Sequence, residues 1–309
     1  MNFITHSPRL GALCGPAALA AALSCAPIDE PLCEKLVGSE RADEADTRLL
    51  PLDFWLQVLI PQAKRAPMSV PDEPNDCGGL TITVRWPDEA LQSVDPRLHA
   101  EPLPRRPISE SDFTFAEGPE GSILVWARID HYDDGTARGP VALARWVDRG
   151  VKIYGLGTLW APHTRARLRI EPLGDDGALL VADGEICPDR QVNRCQHHIY
   201  LLPLVERRFQ QVALYEGKWA GPARVIALEE RRDELKHGWV RRTKIRRRIR
   251  FGEPTLRIDE TLTVRECDAR TEPEQCETRE EQRDQRLVRW ERSAFWAEKP
   301  SLWSAVEAP

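Results

Sequence analysis

The feature that most constrains the fold is a succession of short strand-like segments, which begins near residue 121 and runs almost to the end of the chain. Residues 122–129 (SILVWARI), 140–148 (PVALARWVD) and 151–159 (VKIYGLGTL) follow one another closely. Glycine lies in the turns between them, where it can adopt positive φ without steric cost. A strand spacing of about 10 to 14 residues with such turns is typical of an antiparallel sandwich or barrel.

The same pattern continues through the second half of the chain. Residues 255–264 (TLRIDETLTV) alternate between apolar and polar side chains, and Glu260 interrupts the apolar face. The sequence therefore predicts a mostly β fold, either an antiparallel sandwich or an open barrel built as a meander. The remaining strand candidates are residues 165–170, 178–182, 198–205, 209–215, 240–251 and 286–295.

The chain before residue 110 has a different character. Residues 50–60 (LPLDFWLQVLI) are apolar on almost all sides, which fits either a short buried helix beginning near Asp53 or a buried strand. Residues 78–86 (GGLTITVRW) alternate and predict a half-buried strand. Prolines recur through residues 87–108 and predict an irregular connection, because proline cannot donate to a strand ladder.

These patterns divide the chain into four parts. The small irregular or α-containing N-terminal region includes a tether, one strand and the proline-rich connection. The expected parts are a signal peptide at 1–24, this N-terminal region at 25–110, an antiparallel β domain at 111–297 and a tail at 298–309.

The first 25 residues contain an export-like leader. Residues 10–24 (LGALCGPAALAAALS) carry no charge, are too short for a membrane span, which needs about 20 residues, and match the apolar region of a secretory signal. Residues 22–25 (ALSC) resemble the lipobox of bacterial exported lipoproteins. The resemblance implies that Cys25 carries a diacylglycerol and becomes the mature amino terminus. The alternative is a buried, alanine-rich first helix of a cytosolic protein.

The cysteine count agrees with export. Of eight cysteines, Cys14 would leave with the leader and Cys25 would carry lipid, so an even number remains. Two short polar loops favour pairing Cys187 with Cys195 and Cys267 with Cys276, which leaves Cys33 with Cys77. A metal site formed by Cys187, Cys195 and the two following histidines is an alternative, although seven residues between the cysteines exceed the usual zinc spacing. Free thiols in a reducing compartment are another.

Residues 241–250 form a conspicuous basic stretch, with seven Arg or Lys side chains. Residues 259–284 hold ten acidic side chains against four arginines, so a hairpin would set opposite charges side by side. The main interpretation is a self-complementary, solvated sheet face. The alternative is contact with an anionic lipid surface. The residues available for that contact are Arg241, Arg242, Lys244, Arg246, Arg248 and Arg250.

Charge and motifs narrow the function classes. A formal net charge of −6 argues against a nucleic-acid partner. No GxSxG, HExxH, P-loop or GxGxxG motif occurs, so the sequence predicts no catalytic residue, metal or cofactor. We therefore expect a non-catalytic, secreted or lipid-anchored bacterial envelope protein, attached to the membrane by an acyl anchor, with an envelope protein or anionic lipid as partner. The alternatives are an extracytoplasmic hydrolase with a dispersed site and a cytosolic β protein with a charge-banded interaction surface.

Overall fold

A computed structural model of the chain describes residues 31–36, 50–84, 100–147, 150–174, 177–187, 195–216, 219–222, 226–236, 238–252, 255–268, 270 and 275–307. The expected signal peptide, Cys14 and Cys25 lie outside these residues, as does most of the expected tether. None of the helices in the described part of the chain is long and apolar enough to cross a membrane.

The chain is mostly β, as the sequence predicts. Its elements, in chain order, are β1 (Cys33–Leu36), α1 (Leu52–Leu59), β2 (Lys64–Arg65), β3 (Met68–Ser69), β4 (Phe113–Glu117), β5 (Ile123–Ala127), β6 (Asp130–His131), β7 (Thr136–Val147), β8 (Gly150–Pro162), β9 (Thr164–Leu173), β10 (Gly177–Ile186), β11 (Gln196–Val205), β12 (Arg208–Phe209), β13 (Ala213–Glu216), β14 (Trp219–Pro222), β15 (Ile226–Ala227), β16 (Glu229–Lys236), β17 (Trp239–Phe251), β18 (Thr255–Asp268), β19 (Gln275–Glu291), β20 (Ala294–Ala297) and α2 (Ser304–Glu307).

The first sheet is a curled, nearly closed barrel. Its strand order is β4-β5-β7-β8-β12-β11-β10-β9, and the two strands at the ends of this order, β4 and β9, lie side by side. Nearly every pairing is antiparallel, and β12 pairs with β8 in parallel. Side chains that point inward fill the interior with an apolar cluster that includes Trp126, Tyr200 and Phe209.

The second sheet is an antiparallel meander that packs on the barrel. Its order is β14-β13-β20-β19-β18-β17-β16, with a parallel contact between β13 and β20. One face lies on the outer wall of β10 and β11, where Leu256, Ile258 and Phe295 share a cluster with Val181 and Leu201. The architecture therefore combines an open barrel with a stacked sheet.

The described N-terminal residues cover another outer wall of the barrel. Residues 52–59 form the helix α1, which resolves the choice left open between helix and strand, and Trp55, Leu56 and Leu59 are buried beneath it. The strand β1 pairs with β8.

The strand predicted at residues 78–86 is wrong for the part that the structure describes. Residues 78–84 form a loop with a single bridge between Asn75 and Thr81. Asp76 causes the difference, because its Oδ1 accepts hydrogen bonds from the backbone N–H groups of Gly78 and Leu80, at 2.9 and 3.0 Å. A short acidic side chain that captures nearby N–H groups competes with a sheet ladder.

The end of the chain also packs on the second sheet. Residues 298–307 belong to the expected tail, yet Ser301 and Trp303 are buried. Trp303 joins Ile245 and Leu262 in a small apolar cluster on the same side of the sheet as the barrel contact. One side of the second sheet is thus covered along much of its length, and the other is open.

Three disulfide bonds are present, in the pairing that the spacing favours. Cys33 is bonded to Cys77, which ties β1 to the loop that follows β3. Cys187 is bonded to Cys195 across the β10–β11 connection. The third bond joins Cys267 and Cys276, which face each other at the end of the β18–β19 ladder.

Candidate functional site

The open face of the second sheet carries an ordered set of polar side chains. Because successive side chains of a strand point to opposite faces, every second residue of β16, β17 and β18 reaches this face. The strand β19 follows the same alternation except at one bulge, between Thr278 and Glu281. The register aligns these residues in four rows across the strands. From β16 to β19, row 1 is Glu229, Arg246, Thr261 and Arg283; row 2 is Arg231, Lys244, Thr263 and Glu281; row 3 is Asp233, Arg242, Arg265 and Thr278; and row 4 is Leu235, Val240, Cys267 and Cys276.

Rows 1 to 3 form a groove with a positive surplus. Each of these rows contains two cations and one acid. All their residues except Asp233 line a groove of about 440 Å³. Thr261 and Thr263, both half-buried, lie between the cations of β17 and the charged side chains of β19. The groove therefore offers hydroxyl and cationic donors together, the two kinds of group that bind phosphate or carboxylate oxygens.

The acids of rows 1 to 3 are engaged by cations on the same face, and Glu281 pairs with Arg283 at 2.7 Å. Glu229 pairs with Lys244 and, at 3.3 Å, with Arg246. Burial would raise the pKa of Glu229, but the hydrogen bonds and charges of these two cations outweigh it and hold the pKa below its ordinary value. Asp233 contacts Arg231 and, at 3.3 Å, Arg242. The self-complementary charge expected from the sequence is thus present, and it leaves the cations in excess.

Arg265 carries part of that excess. It is exposed, and it forms no ion pair with any residue that the structure describes. In the register it lies in row 3 between Arg242 and Thr278. An exposed, unpaired guanidinium between two other donors can receive an external anion without first breaking a salt bridge.

Row 4 makes the open face apolar near the β16–β17 and β18–β19 turns. Leu235 is 74% exposed, Val240 is half-buried, and the Cys267–Cys276 bond continues the row. The row contains no charged side chain, and Arg242 and Arg265 of row 3 lie two residues away along their strands. An apolar edge therefore borders a cationic groove.

The predicted basic residues divide between the two faces of the sheet. Arg242, Lys244 and Arg246 line the groove, and Arg248 and Arg250 continue the same face beyond it. Arg250 pairs with Asp259 at 3.0 Å. Arg241 differs from the others, because the alternation places its exposed side chain on the opposite face, in register with Glu234 and Glu266.

The possible metal site at the β10–β11 connection lacks thiolate ligands. The Cys187 and Cys195 sulfur atoms are bonded to each other, so Glu185 beside them has no thiolate partner there. His197 Nε2 lies 3.3 Å from Asp183 Oδ1. His198 is buried, and its Nε2 lies 3.3 Å from Oε1 of Gln196, two residues earlier on the same strand. These side chains form local polar contacts within the sheet.

Sequence reasoning missed the threonines, Arg265 and row 4. The rows exist only through register, and β16 (EERRDELK) has no apolar alternation that would identify it as a strand. The available signal was the opposite charge of residues 241–250 and 259–284, which favours their lying side by side. No protein-family model matches the chain, and no match was found among curated proteins or solved structures.

Proposed function

We propose that this protein is a non-catalytic component of the bacterial envelope, tethered through an acyl group on Cys25, that binds an anionic phospholipid on the open face of its second sheet. The observation that carries the proposal is the border between rows 3 and 4. An anionic phospholipid combines a phosphate head with an apolar chain, and this border places the cations Arg242 and Arg265 one row away from the exposed Leu235.

The charge pattern supports the headgroup half of the proposal. A basic segment gains about 1 kcal/mol for each Lys or Arg held near an anionic membrane surface. Each of rows 1 to 3 supplies a net charge of one, spaced about 7 Å from the next along the strands. Arg242 and Arg265 are the cations nearest the apolar edge, so they would contact the phosphate.

The disulfide bonds support the location. Disulfides persist in oxidising compartments and are rare in the cytosol. All six cysteines that remain after the leader and Cys25 are paired. An extracytoplasmic site fits both this pairing and the lipobox-like residues 22–25.

Vesicle binding tests the lipid contact. Full-length protein is sedimented with vesicles of pure phosphatidylcholine, or with 30% phosphatidylglycerol added. We expect retention by the anionic vesicles only, and loss of about tenfold or more in the K244Q/R246Q variant, since two charges near the surface are removed. R165Q/R167Q on β9 removes the same charge elsewhere and is the matched control.

Leu235→Ser separates the apolar contribution from the charge. It leaves every cation in place and should weaken binding by about tenfold, because an exposed leucine gains about 1.5 kcal/mol when it is buried. Equal retention by neutral and anionic vesicles would contradict the proposal, as would equal losses in K244Q/R246Q and R165Q/R167Q.

Processing of the amino terminus tests the anchor independently. Mass spectrometry of protein isolated from bacterial membranes should show Cys25 as the first residue, carrying acyl chains, and C25S should release the protein from the membrane fraction. A native protein that begins at Met1 would overturn the anchor without affecting the vesicle result.

A further inference from the structure

A second pocket lies at one mouth of the barrel, away from the groove. Inward-facing side chains of β5 run from Leu124 through Trp126, both inside the barrel, and the next position in this row is Arg128, just beyond the strand. Arg128 lines a pocket of about 390 Å³. Mouths of β-barrels are frequent ligand sites, and this volume suits a small molecule.

Arg128 is a buried cation without an ion-pair partner. It is 5% exposed, and its Nη1 donates to Thr114 Oγ1 at 2.6 Å while Nη2 donates to the Ser111 carbonyl. Its Nε has no hydrogen-bond partner, and no carboxylate lies within ion-pair distance, among the residues that the structure describes. Burial lowers the pKa of Arg128, against the attraction of Asp112.

The buried acids beside the pocket, Asp112 and Asp130, are already neutralised by other arginines, whereas Asp133 lines the pocket as an exposed carboxylate. Asp112 accepts two hydrogen bonds from Arg106, at 2.7 and 2.6 Å, and lies 3.1 Å from His131 Nε2. Burial would raise the pKa of Asp112, but hydrogen bonds from His131, Arg106 and Ser109 outweigh it and hold the pKa well below its usual range. Asp130 is paired with Arg105 at 2.8 Å and with a further arginine on β7.

The rest of the pocket combines imidazoles with apolar walls. The His131 and His163 rings meet edge to face at 5.5 Å, and both line the pocket. Ile108, Ile129 and Tyr132 provide apolar surface. Positive charge thus exceeds negative charge around a cavity that also has room for a short hydrocarbon group.

We infer that this pocket binds a small organic oxyanion, a carboxylate or phosphate group on a short apolar body. The oxyanion would lie against Arg106, His131 and His163, with Arg128 beneath it at the barrel mouth. The apolar body would contact Ile108 and Ile129. This inference does not depend on the lipid contact, because none of these residues lies on the second sheet.

Calorimetric titration of the full-length protein with butyrate, inorganic phosphate and butyramide tests the pocket. We expect butyrate or phosphate to bind and neutral butyramide to bind at least about tenfold more weakly, the loss expected when a charged hydrogen-bonding partner is removed. Butyrate above phosphate would assign a carboxylate ligand, and the reverse order a phosphate ligand. Binding of neither anion, or equal binding of butyramide, would overturn the inference.

Two variants locate the site. R128M replaces a buried unpaired charge with an apolar chain of similar length, so it should fold at least as well as the wild type while anion affinity falls at least about tenfold. His163 is more exposed than Arg128. The H163Q variant should therefore keep its fold and lower the affinity for the same anion by a smaller factor. K244Q/R246Q is the control for the groove and should leave the affinity unchanged. Retained affinity in both R128M and H163Q, or loss in K244Q/R246Q, would contradict the assignment.

Discussion

The two faces of β17 and β18 carry similar charges in opposite surroundings. On the open face, Lys244 and Arg246 pair with Glu229 in water-accessible positions. On the covered face, Glu260 is 1% exposed and accepts hydrogen bonds from Arg247 at 2.9 Å and from Ser301 at 2.7 Å. Residues one position apart in sequence thus belong to different electrostatic environments, because the strand alternates between solvent and core.

The covered charges form a closed network. Arg286 is 2% exposed, approaches Glu260 at 3.3 Å and pairs with Glu216. The backbone N–H of Leu302 donates to Glu260 Oε2 at 2.9 Å, so the C-terminal segment completes the shell around this carboxylate. A buried ion pair is not by itself stabilising, but removing one partner leaves the others buried and uncompensated. The open face should tolerate the same removal.

Glu260→Gln should give the largest effect on stability. It keeps the shape of the side chain but removes the carboxylate that Arg247 and Arg286 share, so each buried arginine keeps one acidic partner, Glu230 or Glu216. We expect a loss of about 3 to 5 kcal/mol in the free energy of unfolding. Urea denaturation at pH 7 measures it. Glu281→Gln, on the open face of β19, is the matched control and should change stability by less than about 0.5 kcal/mol. Similar losses in both variants would remove the distinction between the faces.

Removal of the Cys267–Cys276 bond should cost less. The bond closes a loop with a sequence separation of 9, and loop-closure entropy predicts a loss of about 2 to 3 kcal/mol when both cysteines become alanine. The Cys33–Cys77 bond has a separation of 44 and should cost about 4 kcal/mol by the same reasoning. Thermal unfolding of the two double-alanine variants checks this order, and the reverse order would mean that strain or residual structure, and not loop length, decides.

Tyr132 is a buried group that is neutral, in contrast to the buried charges of the second sheet. Desolvation raises its pKa to about 12, above the ordinary value near 10. The folded state therefore holds this proton more tightly, so the stabilisation is complete below about pH 10 and is lost as pH rises toward 12. Tyr132→Phe should flatten this alkaline loss by about 2 kcal/mol in stability-against-pH curves. Parallel curves for the wild type and Tyr132→Phe would contradict the assignment.

Glu229→Gln should give the smallest effect on stability, and it should strengthen vesicle binding where the removal of cations weakens it. The Lys244–Glu229 pair is half-buried at the open face, where solvent screens it, so we expect a change of less than about 0.5 kcal/mol in the free energy of unfolding. Freed of this acid, Lys244 and Arg246 should raise affinity for phosphatidylglycerol vesicles by about fivefold. Glu185→Gln on β10 is the control for the change in net charge. Weaker vesicle binding in Glu229→Gln would show that Glu229 positions the cations and does not merely oppose the ligand.

The strand pattern and the disulfide pairing could be predicted because both depend on local sequence. Alternation in residues 255–264 correctly identifies the covered face of β18, including the interruption at Glu260. The helix α1 could not be distinguished from a strand, since its residues are apolar on almost every side. The failed strand at residues 78–84 depends on the Asp76 side chain, whose competing hydrogen bonds do not show in apolar periodicity.

The candidate sites were predictable only in part. A cluster of seven basic residues is visible in the sequence, but the sequence does not show which of them reach solvent. Arg247 is almost buried on the covered side, Arg241 is exposed on the face opposite the groove, and Arg265 joins the groove from another strand. The barrel-mouth pocket brings together Arg106, Arg128 and His163 from separate segments of the chain. No short sequence motif could have predicted that these residues lie close together.

The seam of the barrel has a mechanical consequence. The strands β4 and β9 lie side by side, yet the described residues show no ladder between them, so their facing edges can separate without breaking sheet hydrogen bonds. Thr114, the hydroxyl that holds Arg128, belongs to β4 at this seam. The barrel can therefore widen at this position when β4 and β9 move apart. Amide hydrogens along β9 should exchange with solvent sooner than those of β8, which is laddered on both sides.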